Sequence, residues 1–491
     1  MDFLTASFSE ISSAVKNKKC SAVEVTRFFL ERARTINPKL NAYLCFDPTA
    51  EKQAQRIDEK IARGEDPGAL AGVPWAIKDM FCTQGLRTTA ASKMLENFVP
   101  PYDATVVERL KKSGAVILGK LNQDEFAMGS TNETSHFGPC KNPWDLTRVP
   151  GGSSGGSAAA QAARLCAGAT GTDTGGSIRQ PSNFCGIVGV KPTYGRASRY
   201  GIISYASSLD QAGPMTSSVA DAALALEIIC GRDGRDSTCS DKEVPPFSKS
   251  LNSSMKGKKI GVLKEYMEQG GLHPDVARVT AQALDALKAQ GAEIVEVSVP
   301  LTKYAVSIYY LIASSECSSN LARYDGVKYG FRANFPSLTN VTLAEFYSKT
   351  RGEGFGSEVK RRIMLGTYFL SSGYYDAYYV KACQVRRLLR DQFTQAFSKC
   401  DVILSPVTTA PAYKMGAKTT NPLEKYLNDI FTVSTNLSGL PGMSVPFGTS
   451  QEEKLPIGIQ LTAAQFEEQK MLDVASALES VSAVKGLVAN V

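Results

Sequence analysis

Seven successive residues, Gly151-Gly152-Ser153-Ser154-Gly155-Gly156-Ser157, have almost no side chain and run directly into an alanine-rich stretch. By composition they could be a flexible linker. Their flanks argue against that. Residues 155–164 pattern as a short helix and residues 166–171 as a strand after it. The stretch runs straight into that helix and lies between strands, where linkers are rare. A second turn of the same kind, Thr172-Asp173-Thr174-Gly175-Gly176-Ser177, places a glycine-bracketed serine 24 residues after Ser153.

The rest of the chain alternates strand and helix. Ser21-Ala22-Val23-Glu24 is a capping-box sequence, followed by a helical stripe to Asn37-Pro38. Asp103 is positioned to cap a helix running to Lys112, with residues 115–118 a buried strand after Gly114. Residues 259–263, 292–299, 401–404 and 455–461 read as strands. Helices are expected from His273-Pro274 to Lys288, and over residues 357–370, 375–397 and 467–481. Residues 230–255 are polar and read as a surface connection. The pattern predicts an α/β fold with a mostly parallel, covered sheet.

Composition narrows the function classes. A net charge of +7 is mild for 491 residues, and the basic clusters at 256–259, 360–362 and 386–387 are short and scattered, as on solvated helix faces. The 11 cysteines include no C-x-x-C pair and sit mostly in apolar segments, which predicts free thiols in a reducing cytoplasm. The start has no basic region leading into an apolar run, and no stretch reaches the roughly 18 apolar residues of a membrane helix. A cytoplasmic protein without a membrane anchor is the expectation. No P-loop and no metal-spaced set of His, Asp and Glu is present.

The serines suggest a nucleophile. A serine hydroxyl needs a base to take its proton. Ser153 fits G-x-S-x-G, the turn of histidine-based hydrolases. Only two histidines exist, however: His136 precedes both serines, and His273 sits at a helix start. Lys78, in Gly72-Val73-Pro74-Trp75-Ala76-Ile77-Lys78, is the other candidate base. A lysine serves only when neutral, which burial favours, and its apolar neighbours suit that. The bland alternative is a surface lysine paired with Asp79. Gly175 and Gly176 free the backbone to aim several N–H groups at one point, as an oxyanion hole requires.

Taken together, Lys78, the Gly151–Ser157 stretch and Gly171-Thr172-Asp173-Thr174-Gly175-Gly176-Ser177-Ile178-Arg179-Gln180-Pro181 resemble the amidase signature family. The resemblance implies one amidase domain over residues 1–491. Its signature core spans about 65–215, and a substrate-binding and C-terminal part spans about 256–491. The implied fold is a central mixed, mostly parallel sheet with helices on both faces. Ser177 is implied as nucleophile, Ser153 as a relay after a cis peptide, Lys78 as terminal base, and Thr174, Gly175 and Gly176 as the oxyanion hole. Met80-Phe81 departs from the asparagine frequent after Lys-Asp in the family, which touches packing behind the lysine but not the triad.

Further stretches narrow the likeness to the glutaminase subunits of tRNA-dependent amidotransferases. These are Val190-Lys191-Pro192-Thr193-Tyr194-Gly195-Arg196, Ser207-Ser208-Leu209-Asp210-Gln211, residues 360–367, residues 371–376 and residues 436–442. That likeness implies glutamine as substrate and ammonia delivered to a partner, the B subunit, which uses ATP and magnesium to convert Glu-tRNA(Gln) to Gln-tRNA(Gln). A small C subunit completes a heterotrimer, and tRNA is met mainly through the B subunit. No cofactor is implied for this chain. Arg362 is implied as the ligand of glutamine's α-carboxylate, with Arg361 a neighbouring candidate. Asp429 is implied for the α-amino group, and Tyr309 for positioning. A stand-alone amidase acting on small amides is the alternative.

Overall fold

A computed structural model describes residues 1–268, 270–337, 339–417 and 429–491. Eleven strands form one sheet: β1 (Tyr43–Phe46), β2 (Pro74–Lys78), β3 (Val116–Leu121), β4 (Gly168–Asp173), β5 (Val188–Lys191), β6 (Gln211–Thr216), β7 (Lys259–Leu263), β8 (Glu293–Val297), β9 (Val402–Pro406), β10 (Gly442–Thr449) and β11 (Pro456–Ala463). Their order is β1-β3-β2-β4-β6-β5-β10-β11-β9-β7-β8. The two halves of the chain therefore meet in mid-sheet, where β5 pairs with β10, Met443 opposite Val190.

Helices cover both faces, as alternation of side chains along the strands shows. On β9, Val402 and Leu404 join one buried apolar cluster and Ile403 joins the other. The first cluster packs against Phe8–Lys16, Ala22–Leu40, Pro274–Ala289 and Glu468–Ser480. The second packs against Ala305–Leu321, Ser357–Phe369 and Lys381–Phe397.

The sheet is mixed, as expected, but its parallel share is smaller than strand–helix alternation suggested. Among the described strands, six of the ten ladders are antiparallel and four parallel. The strands the sequence reading lacked, β1, β5, β6 and β10, make five of those six. β6 contains Gly213 and Pro214, and β10 contains Pro446 at a register shift before Gly448. Such residues hide a central strand from any alternation pattern.

Local expectations are adjusted in three places. The Ala22–Leu40 helix runs through Pro38 and stops at Asn41, which takes the left-handed conformation. Asp103 does not cap the Thr105–Lys112 helix; its carboxylate accepts the Gln84 N–H at 2.7 Å and pairs with Lys111. The expected helix over 375–397 begins with a π-turn, Asp376–Val380, before Lys381–Phe397.

Candidate active site

Lys78 ends β2 and is completely buried, so the surface pairing with Asp79 is overturned. Asp79 points away, to Lys120 at 3.3 Å and to the Thr89 N–H at 2.9 Å. Lys78 Nζ lies 2.7 Å from Ser153 Oγ, 2.8 Å from Ser154 Oγ and 2.7 Å from Thr172 Oγ1. Burial pushes its amine down to about 7, while the carboxylates of Asp124, Asp173 and Asp210 pull the other way. A neutral amine has two protons to donate and one lone pair. Ser154 gives its own proton to the Thr172 carbonyl at 3.2 Å, so its oxygen is free to accept from the lysine. Donation to Ser154 and Thr172 leaves the lone pair for the Ser153 hydroxyl.

A depressed lysine is not by itself a base. Lys191 is also pushed down to about 7 by burial, but it donates to the carbonyls of Pro192 and Leu440 and meets no serine.

Ser153 follows a cis peptide bond from Gly152. Gly152 has to be glycine: a Cβ there would come within 2.1 Å of Asp124 Oδ2. Its N–H donates to Gln180 Oε1 at 2.9 Å. The Asp124 N–H donates to the Ser153 carbonyl, and its carboxylate gathers the N–H groups of Thr131, Asn132 and Thr134. The Ser154 N–H donates to the Ser177 carbonyl at 3.3 Å, which sets the two serine turns side by side.

The second turn is held from beneath. Asp173, at the end of β4, accepts from Gly176 N–H at 2.8 Å and Ile178 N–H at 3.3 Å. Burial alone would raise its carboxyl, but the adjacent Arg179 guanidinium holds it well below the usual carboxylate range. Arg179 Nε lies 3.0 Å from Asp173 and its other nitrogens reach Thr432 O, Gln460 Oε1 and Asn436 Oδ1. The Gly176 amide is thereby committed to Asp173, unlike its expected oxyanion role. The amides of Thr174 and Gly175 take no partner among the described residues. Thr174 is fixed through its hydroxyl, which donates to Asp210 at 2.7 Å. Gly175 must be glycine, because a Cβ would meet the Tyr309 ring at 2.6 Å.

A small polar pocket joins Gly175, Gly176 and Ser177 to Tyr309, Tyr310, Arg362 and Asp429. Its free volume is only about 20 Å³, whereas grooves of about 380 and 490 Å³ lie elsewhere and contain none of these residues. Convergent chemistry, not size, marks this site. Arg362 is buried; it donates to Tyr205 Oη at 2.5 Å and to Glu358 Oε1 at 2.7 Å, and lies 5.2 Å from the Tyr310 ring. The Arg361 side chain is 51% exposed and pairs with Glu358 outside the pocket. Burial raises the Asp429 carboxyl to about 7, against the pull of Arg362. Neither histidine reaches the serines: His273 caps a helix by accepting from the Asp275 N–H, and His136 lies 3.8 Å from Glu96.

The model of the family named Amidase matches residues 24–472. The chain belongs to the amidase family. The A subunit of a glutamyl-tRNA(Gln) amidotransferase from Bdellovibrio bacteriovorus is 68% identical over 486 residues, covering 99% of each chain. The crystal structure of the corresponding A subunit from Thermotoga maritima aligns at TM-score 0.81 and 40% identity, over 98% of this chain and 96% of that one. A peptide amidase from Stenotrophomonas maltophilia aligns at TM-score 0.83 and 28% identity, over 98% of each. The amidase fold thus accommodates more than one substrate class, and the substrate must be argued from side chains.

Several residues that organise this amidase site were missed by sequence reasoning. Ser154 and Thr172 lie inside the serine motifs, but only the fold brings both to Lys78. Asp173 and Arg179 stand six residues apart across the second turn, a spacing that was visible without its meaning. Asp124 and Tyr205 carried no local signal at all.

Proposed function

We propose that this chain is the glutaminase component of a tRNA-dependent amidotransferase. The supporting observation is that Ser177 shares its pocket with a buried arginine, Arg362, and a carboxylate, Asp429. Glutamine offers an α-carboxylate and an α-ammonium to such a pair. Tyr309 packs against Gly175 and shapes the wall between them and the nucleophile.

In this reading Ser177 Oγ attacks the side-chain carboxamide carbon of glutamine. Its proton passes to Ser153 Oγ as the Ser153 proton passes to Lys78 Nζ. The amides of Thr174 and Gly175 meet the oxyanion. Collapse breaks the C–N bond, and the departing nitrogen takes the proton back along the relay and leaves as ammonia. A γ-glutamyl ester remains on Ser177, with Lys78 neutral again. Water, deprotonated through the same relay, attacks the ester and releases glutamate and the Ser177 hydroxyl.

The ammonia is used by a partner, the B subunit, that activates Glu-tRNA(Gln) with ATP and magnesium, with a small C subunit completing the heterotrimer. Choice of tRNA belongs to the partner. A cytoplasmic setting fits the eleven free cysteines. Among the described residues, no helix is long and apolar enough to cross a membrane.

The test is glutamate release from glutamine by complexes captured through this chain, with and without ATP and Glu-tRNA(Gln). Stimulated release with Gln-tRNA(Gln) appearing supports the reading. Unstimulated hydrolysis of simple amides by a chain that captures no partner would instead make it a stand-alone amidase. Ser177→Ala abolishes glutamine-dependent transamidation but preserves the ammonia-dependent reaction in the assembled complex; loss of both overturns the nucleophile assignment.

A further inference from the structure

Glu125 is a buried carboxylate that the reaction does not use. Burial pushes its carboxyl up to about 7, against bonds from Ser92 and Gly356. A buried acid is costly unless it is hydrogen-bonded, and both oxygens of Glu125 are. One oxygen accepts from the Ser92 hydroxyl, and the other accepts the Gly356 N–H at 2.9 Å.

Gly356 is the N-cap of the Ser357–Phe369 helix, which carries Arg362. In the first turn of that helix, Glu358 holds Arg362 Nε at 2.7 Å. The fit at the cap is close: a Cβ on Gly356 would stand 2.3 Å from Glu125 Oε2. Phe126 reinforces the junction, its ring 5.7 Å from that of Phe355.

On its other side, the Glu125 N–H donates to Thr134 Oγ1 at 3.2 Å, and that hydroxyl donates to Asp124 at 2.8 Å. Asp124 in turn holds the Ser153 carbonyl at 3.1 Å. A short chain of bonds therefore links the helix bearing Arg362 to the backbone of the relay serine.

We propose that Glu125 is a positioning residue that fixes the Arg362 helix at its working distance from the serine relay. This rests on the reading that Arg362 grips the α-carboxylate of glutamine. With the clamp displaced from the relay, the serine turn still takes an amide group but the far end of the substrate is no longer held.

The experiment compares glutamine with butyramide, an amide without α-substituents, as substrates of the captured complex. The variants are Glu125→Ala, Glu125→Gln, Gly356→Ala, the Glu125→Ala/Gly356→Ala pair and Arg362→Ala. Glu125→Ala raises KM for glutamine roughly tenfold, with a much smaller change in kcat and in butyramide hydrolysis. Glu125→Gln, which keeps an acceptor for the Gly356 N–H, recovers most of the loss. Gly356→Ala reproduces the defect alone but adds nothing in the Glu125→Ala background, because the Cβ then meets no carboxylate.

Unchanged KM in Glu125→Ala beside a raised KM in Arg362→Ala overturns the proposal and leaves the glutamine reading standing. Unchanged KM in Arg362→Ala overturns the glutamine reading itself. Equal losses on both substrates make Glu125 a general support of the fold and also overturn the proposal. Should Glu125→Ala fail to fold, Gly356→Ala decides alone: a selective rise in KM for glutamine supports the proposal, and no rise overturns it.

Discussion

Lys78 is suited to serve as a base by where it is put. Its β-strand is apolar, its amine is dry, and three hydroxyls surround it. In the proposed reaction Lys78 acts as the neutral amine and Asp429 as the ionised carboxylate, and burial brings each to about 7. Both become active by losing a proton, so activity rises with pH. The prediction is a kcat/KM profile that climbs through about 7 with more than one ionisation and levels above about 8. Once a substrate ammonium sits beside Asp429, that carboxyl stays ionised, so kcat shows the lysine limb alone. A flat profile from about pH 6 to 8 would rule out a lysine base of this kind. His273 carries no such burden. Its ring accepts one backbone N–H at 3.2 Å, so His273→Ala costs about 1 kcal/mol of stability or less and leaves turnover unchanged. A thousandfold or so loss of turnover would return the histidine mechanism.

At the scale of elements, the second serine turn stands on a buried ion pair. Asp173 closes β4, and Arg179 opens the Arg179–Cys185 helix that follows. Arg179 also reaches Thr432, the N-cap of the Val433–Leu437 helix, Asn436 within that helix and Gln460 in β11. Asp173→Ala leaves that guanidinium buried without its counter-ion. The expected loss is about 3–5 kcal/mol, seen as a fall in the thermal midpoint together with inactivity. A variant as stable as the parent would mean that the neutral acceptors suffice. The elements were legible where periodicity was strong: β7 and the helix Pro274–Ala289 follow the apolar pattern closely. β6 and β10 were not, because proline and glycine interrupt them and their burial comes from neighbours distant in sequence.

The whole molecule is tied across its middle. β5 belongs to the first part of the chain and β10 to the last, yet they pair in one sheet. The serine turns lie in the first part, while Arg362, Asp429 and Thr432 come from the second; the Thr432 hydroxyl donates to Gly175 O at 2.7 Å. A fragment of residues 1–216 is therefore expected to aggregate or stay unfolded, and the full chain to lose its fold in one cooperative step. Circular dichroism of the fragment and calorimetry of the chain check this. A fragment with a native-like melting transition would show that the signature core is an independent domain.

By itself, the sequence determined the chemistry on offer: two serines in glycine turns, a lysine in an apolar strand, and too few histidines to serve them. These are local facts, fixed by backbone freedom and side-chain type. Only the tertiary structure decided which groups meet. It turned Lys78 away from Asp79 and toward Ser153, chose Arg362 over Arg361 for the pocket, and committed the Gly176 amide to Asp173. The reason is physical. Burial and long-range pairing set whether a charge is dry, which face a side chain takes and which amides remain free, and none of these is a property of neighbours along the chain.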